Sequence, residues 1–281
     1  MDKGVDMVSG TEETRQFYDA VGWTTDPDGV SVDEALFRAA ETDGPIRTGI
    51  YQRRWTRITA FLDDLDCDGA VLEVGCGGSP EKHLLARFKR YTGVDFSATG
   101  LELAKKRVAD HPTETAFHRA DAVHLPFDDD SFDCVFSAHM IYHIADPAAQ
   151  AAAIAEMQRV LKPGGALVLH LANPRPLLFP ARLVMRVVAE NRVLAPIARR
   201  IKGPAPVPYN PQTIKWTLAR LSGLSQVDIL GGGVDSTRFR KTYSEQTAIG
   251  RAAWRFLDYL DRAMPKASAW LGNYVCYLCR K

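Results

Sequence analysis

Two acidic residues, two histidines and a run of glycines are the side chains of this 281-residue chain whose types and spacing could do chemistry. Val71-Leu72-Glu73-Val74 reads as a strand that runs into Gly75-Cys76-Gly77-Gly78, where missing side chains let a nucleoside and an amino-acid tail approach the backbone. A pyrophosphate site of the GxGxxG type is disfavoured, because the last glycine position counted from Gly75 is Pro80. Asp95 lies about 20 residues beyond the turn, at the end of a second strand, where a carboxylate can accept from both hydroxyls of a ribose. Asp121 follows a short third strand and could accept from an adenine amino group. His139 and His143 have i, i+4 spacing, so a helical turn starting near His139 would put both on one face, ready to take a proton from a hydroxyl. The competing reading of each histidine is a helix-start residue bonded to backbone. Tyr142 between them is either a further polar contact or core packing.

From Ala70 to Asn173 short apolar strands alternate with amphipathic stretches, the pattern of a parallel sheet with helices on both faces. Strands are expected at 71–74, 91–94, 116–119, 134–138, 166–171, 226–230 and 274–278, with helices at 81–90, 98–109, 148–161 and 213–221. Lys162-Pro163-Gly164-Gly165 is read as the stop of a helix and the turn after it. The expected fold is therefore α/β: a doubly wound, mostly parallel, seven-stranded Rossmann-like sheet. Residues 1–69 form an N-terminal helical cap, and 70–281 form the core, with helical insertions at about 174–211 and 235–270. Gly231-Gly232-Gly233 is read as a flexible turn after the sixth strand, with close approach of a substrate as the alternative.

Composition sets bounds. Lys and Arg number 35 against 34 Asp and Glu, a net charge of +1 that gives no polyelectrolyte signature for nucleic acid. The sequence shows neither a secretory leader nor a membrane-spanning run, so a cytoplasmic protein is expected. Cysteines 67, 76, 134, 276 and 279 do not have the spacing of a disulfide framework. Cys276 and Cys279 fall in a terminal strand, where their odd spacing points them to opposite faces, against a shared metal. Asp128-Asp129-Asp130 is read as a solvated turn, and no metal is expected.

Several segments in order carry a resemblance: Glu73-Val74-Gly75-Cys76-Gly77, Gly93-Val94-Asp95-Phe96-Ser97, Asp121-Ala122 through Leu125-Pro126-Phe127-Asp128, Ser131-Phe132-Asp133-Cys134-Val135, and Arg159 through Gly165. Across about 70–173 the chain resembles class I S-adenosylmethionine-dependent methyltransferases, in the branch of quinone and natural-product enzymes. The resemblance implies S-adenosylmethionine as cofactor. It implies that Glu73 and the Gly75-Cys76-Gly77 turn surround the methionine part, Asp95 holds the ribose, Phe96 packs on adenine, and Asp121 with Ala122 reads the adenine edge. It also implies that the strand end carrying His139 faces both cofactor and acceptor, and that a lid bearing Tyr18 and Tyr51 covers the cofactor. Of the two histidines, His143 is preferred by a small margin over His139 as the group that deprotonates a hydroxyl, and Tyr142 is an alternative polar contact.

Segment 175–202 places seven cations against the single acid Glu190, among apolar residues. Three readings stay open for it: an anionic or lipid-linked acceptor, contact with a membrane surface, and a lid or homodimer helix with a solvated basic face, the last preferred. The expected activity is methylation of a small-molecule hydroxyl, on a sugar or natural product. C-methylation of a prenylated or quinone-like acceptor is the competing activity, and a non-catalytic cofactor-binding partner or sensor the competing class.

Overall fold

A computed structural model describes residues 9–26, 29–31, 44–65, 69–176, 208–233 and 243–281. Cys67, most of the basic insertion and the start of the second insertion lie outside these residues. Seven strands form one sheet: β1 Ala70–Val74, β2 Arg90–Asp95, β3 Glu114–Arg119, β4 Phe132–Ala138, β5 Leu161–Ala172, β6 Gln226–Gly233 and β7 Tyr274–Arg280. Their order is β3-β2-β1-β4-β5-β7-β6. β7 runs antiparallel to both its neighbours, and the other pairs are parallel. The order reverses between β1 and β4, which opens a crevice at the carboxyl ends of the strands, where ligands of such sheets bind.

The helices are α1 Ser9–Phe17, α2 Pro45–Leu62, α3 Lys82–Arg87, α4 Ala98–Arg107, α5 Pro147–Arg159, α6 Ile214–Arg220, α7 Ala248–Ala263 and α8 Pro265–Leu271, with a π-helical turn at Tyr18–Gly22. Their starts follow side-chain capping: Ser97, Asp146, Thr213 and Thr247 accept from the first free amides of α4, α5, α6 and α7. The central strands are buried on both faces. Val71, Cys134, Val168 and Cys276 pack on one side, and Leu72, Val135, Leu167 and Cys279 on the other. Cys276 and Cys279 thus do face apart, and burial pushes both thiols up to about 12.

Two sequence expectations are corrected. Lys162 to Gly165 do not stop a helix: α5 already ends at Arg159, and the four residues lie inside β5. Gly164 there has φ +77° and donates its N–H to the Lys281 carbonyl at 2.9 Å, so the feature is an irregularity of a strand edge tied to the chain's last residue. Gly231 to Gly233 are no turn either, but the last residues of β6. Their lack of side chains makes room for the protein itself: a Cβ on Gly231 would lie 2.2 Å from Ser268 Oγ, and one on Gly232 2.4 Å from His170 Nε2. Asp129 and Asp130 pair with Arg159 and Lys281, as a solvated turn allows.

The cap and the second insertion lock together. Glu245 accepts from the amides of Ile46 and Arg47 and so caps α2 from a distance of about 200 residues in sequence. Arg53 pairs with Asp258 and Asp261, and Arg57 donates to Asp261 at 2.8 Å. Ile50, Trp254, Leu257 and Leu260 fill the space between α2 and α7. Among the described residues no helix is long and apolar enough to cross a membrane.

Candidate active site

A cavity of about 520 Å³ opens at the carboxyl ends of β1 to β5, roofed by residues of α1, the π-helical turn and α2. Its floor begins at the glycine turn. Gly75 and Gly77 have φ +80° and +51°, backbone that side-chain-bearing residues rarely adopt. The turn is held by its own amides: Gly75 and Cys76 donate to the Val94 carbonyl, and Gly77 donates to Asp95 Oδ2 at 2.8 Å. The second oxygen of Asp95 accepts from the Ser97 amide at 2.8 Å. The carboxylate therefore shapes the turn as well as facing the cavity, where its remaining lone pairs can accept from hydroxyls of a ligand. Burial pushes Asp95 up to about 6 against the pull of those amides.

Gly77 does not line the cavity. It makes room for Trp23, a buried cap residue that sequence reading missed; a Cβ on Gly77 would lie 2.0 Å from the indole. Trp23 also lies against Gly78 and Gly100, sealing the outer side of the turn. Gly77→Ala should destabilise the fold by about 2–4 kcal/mol, from left-handed backbone strain and overpacking together. Urea unfolding measures it, and a loss below about 1 kcal/mol would show that Trp23 swings away freely.

Glu73 lines the cavity, but its Oε2 accepts from Tyr91 Oη at 2.5 Å and from the Glu81 amide at 2.9 Å, which fixes the loop from the turn to α3. Burial pushes this carboxyl up to about 8. Cys76, Asp95, Phe96, Asp121 and Ala122 border the same cavity. Asp121 accepts from the Val123 amide at 3.1 Å. Tyr18 roofs this end: it stacks on Trp23 at 5.8 Å and meets Phe96 and His143 edge-on at 6.2 and 6.3 Å. Asp19 beside it accepts from Ser97 Oγ at 2.6 Å and so clasps the cap to the β2 end.

At the β4 end the expected helical face is not formed. His139 has φ +59°, and only Ile141–His143 make a single 3-10 turn, so the two histidines are not successive residues of one helix face. Both rings still border the cavity, with different partners. His139 Nδ1 lies 3.0 Å from Tyr142 Oη, and its ring packs 4.4 Å from that of His170. Burial, with the nearby Arg54 charge, lowers His139 to about 3. His143 Nδ1 lies 2.8 Å from the Pro208 carbonyl, which can only accept, so Nδ1 carries the hydrogen and Nε2 keeps a lone pair. Burial lowers its pKa as well, partly offset by that carbonyl. His170 is a further residue that the sequence reading did not single out; a lone polar side chain in Ala166-Leu167-Val168-Leu169-His170-Leu171-Ala172 was the available signal. Tyr51 lines the cavity beneath the Arg54 guanidinium, 4.6 Å from its ring.

The doubly wound order, the glycine turn and the acids at successive strand ends define the class I methyltransferase fold. Residues 72–169, about a third of the chain, match the methyltransferase domain family model. The chain is 38% identical over 110 residues to the methyltransferase GfsG of Streptomyces halstedii, covering 38% of each protein. It is 30% identical over 148 residues to a probable tRNA methyltransferase 9B of Mus musculus, covering 52% of this chain and 31% of that one. The chain thus spans about a third of the length of these relatives. The N-methyltransferase NodS of Bradyrhizobium japonicum, solved with S-adenosyl-L-homocysteine, shares the fold at TM-score 0.51 and 16% identity, over 88% of this chain and 97% of that one.

Proposed function

We propose that the protein transfers a methyl group from S-adenosylmethionine to a hydroxyl oxygen of a small molecule. The observation that carries this reading is one cavity that joins Asp95 and Asp121, acceptors suited to a ribose and an adenine edge, to a histidine with a free ring nitrogen. When bound, S-adenosylmethionine supplies a methyl carbon on a sulfonium, which is displaced in line. The donor set fits it: Asp95 would hold the ribose, Phe96 and Ala122 would offer apolar surface to the base, and the ionised Asp95 favours a cation.

The remaining work belongs to the chain. Alignment by the roof of Tyr18 and Trp23 and the floor of Gly75 excludes water and holds the reacting atoms in line, the main source of rate in such displacements. His143 Nε2 takes the hydroxyl proton as the oxygen bonds to carbon, so no charged alkoxide has to form first. A proton acceptor favours oxygen over an already acidic carbon. Titration calorimetry with S-adenosylmethionine should give micromolar binding, on the order of −8 kcal/mol. Binding with no release of S-adenosylhomocysteine across a panel of hydroxylated acceptors would favour a sensor or partner subunit; no binding would sink the reading.

A further inference from the structure

The carboxylates that line the cavity cluster at one end, with the lining Lys82 beside Glu81 among them, and Arg54 stands apart from both. The carboxylates, Glu73, Glu81, Asp95 and Asp121, stand at or after the ends of β1, β2 and β3. At the opposite end of the sheet stands Arg54, whose Nη1 donates to the Gly232 carbonyl at the end of β6, 2.7 Å away. β4, β5 and β7 lie between. Arg53 and Arg57 on the same helix are neutralised by Asp258 and Asp261, whereas Arg54 has no carboxylate partner among the described residues. It is half-buried, faces the cavity, and is held in place by Tyr51 below and Gly232 beside it.

Its neighbours cannot neutralise it. His170 Nε2 lies 2.9 Å from the same Gly232 carbonyl, so that nitrogen carries a hydrogen and Nδ1 is an acceptor. His139 and His170 are both kept neutral by burial and by the Arg54 charge. A guanidinium withdrawn from water without a counter-ion is costly, and its fork of N–H donors matches an anionic oxygen. Around it, Tyr51, Trp55 and Phe136 supply aromatic walls.

We infer that the acceptor is an aromatic molecule bearing, besides the hydroxyl that is methylated, a second and anionic oxygen, a carboxylate or a phenolate, which Arg54 grips at the β5–β6 end of the cavity. The inference rests on the proposed methyl transfer for which half of the cavity takes the acceptor. Its chemistry is separable: anion recognition by Arg54 can be measured with or without a bound nucleoside.

The probes are 2-naphthoate and its neutral amide, 2-naphthamide, titrated into the full chain with and without saturating S-adenosylhomocysteine. Wild type should bind the acid at least about tenfold more tightly than the amide, a difference of about 1.4 kcal/mol. Arg54→Gln should bring the two to parity, and Arg54→Lys, which keeps the charge but not the fork, should retain part of the preference. Equal binding of acid and amide by wild type, or a preference that survives Arg54→Gln, overturns the inference. A second arm locates the anion, using 5′-methylthioadenosine, which has no amino-acid tail. If Arg54→Gln weakens S-adenosylhomocysteine about tenfold but leaves 5′-methylthioadenosine unchanged, Arg54 holds the cofactor's carboxylate and the acceptor assignment falls. If neither nucleoside binds wild type, the methyl-transfer reading fails, while the acid-to-amide ratio still reports on Arg54.

Discussion

Asp95→Ala is expected to weaken S-adenosylmethionine binding by about a hundredfold or more. The carboxylate does two things at once: it accepts from the Gly77 and Ser97 amides, and it presents its remaining lone pairs to the cavity. Truncation leaves two buried amides unsatisfied, at about 1–3 kcal/mol each, and removes the acceptors for the ribose. The unsatisfied amides burden the free and the bound protein alike, whereas two lost charge-assisted bonds to the ribose, about 1.5–3 kcal/mol each, supply the roughly 2.8 kcal/mol that a hundredfold change requires. Asp95→Asn should fall between, because its amide NH₂ must face one backbone N–H that the carboxylate oxygen accepted.

A pH signature separates the two variants from a general loss of structure. Burial raises Asp95 to about 6, so the ionised form prevails at neutral pH and is lost as pH falls through 6. Wild-type affinity for the cofactor should therefore decline below about pH 6, while Asp95→Asn, with nothing to protonate there, should show a flat profile. The same raised pKa means that ionised Asp95 costs the fold stability: its contribution is fully present below the unfolded value of 3.8 and is lost as pH rises through about 6. Stability and cofactor affinity should thus move in opposite directions across this window, a pattern that calorimetry and chemical unfolding can record on one sample. Undiminished binding by Asp95→Ala would remove the ribose role.

His143→Ala is expected to lower turnover by about 10²–10⁴-fold while cofactor affinity changes by less than about threefold. The asymmetry follows from geometry. His143 spends Nδ1 on the Pro208 carbonyl and keeps Nε2 free, whereas His139 Nδ1 meets Tyr142 Oη and its ring is packed against His170. His139→Ala should cost stability more than rate. Because burial lowers the His143 pKa, turnover at saturating cofactor should hold its plateau as pH falls through 6.5. Equal, small effects of both alanine variants on turnover would mean that the acceptor arrives already deprotonated, as an acidic phenol or carboxylic acid would.

The order of elements from β1 to β5 was legible because it depends on local signals. The apolar runs Val71–Val74 and Tyr91–Val94 are strands because both faces of the central sheet are covered, and the seven-stranded, mostly parallel sheet follows from their alternation with helices. The glycine turn with Asp95 and Asp121 was legible for the same reason, since each side chain sits at the end of its own strand. Where the reading went astray, the deciding partner was distant. Lys162 to Gly165 reads locally as a helix stop, yet Gly164 and Gly165 bond to Lys281, just past the end of the neighbouring strand β7. His139 and His143 have helical spacing, yet the His139 backbone is pinned by a bond from its N–H to the His170 carbonyl and takes φ +59° instead.

By itself the sequence determined an α/β sheet with a glycine turn and carboxylates at its strand ends, because strand periodicity and glycine conformational freedom act over a few residues. Only the tertiary structure decided what surrounds them. Trp23 on Gly77, Pro208 on His143, Glu245 on the start of α2 and Arg54 on Gly232 are contacts between segments far apart in the chain. Each depends on burial and on which polar groups remain unpaired after folding, quantities that no local spacing encodes. The Arg54 end of the cavity is built from such contacts, whereas Asp95 and Asp121 are placed by their own strands, which is why those carboxylates were readable from the sequence and Arg54 was not.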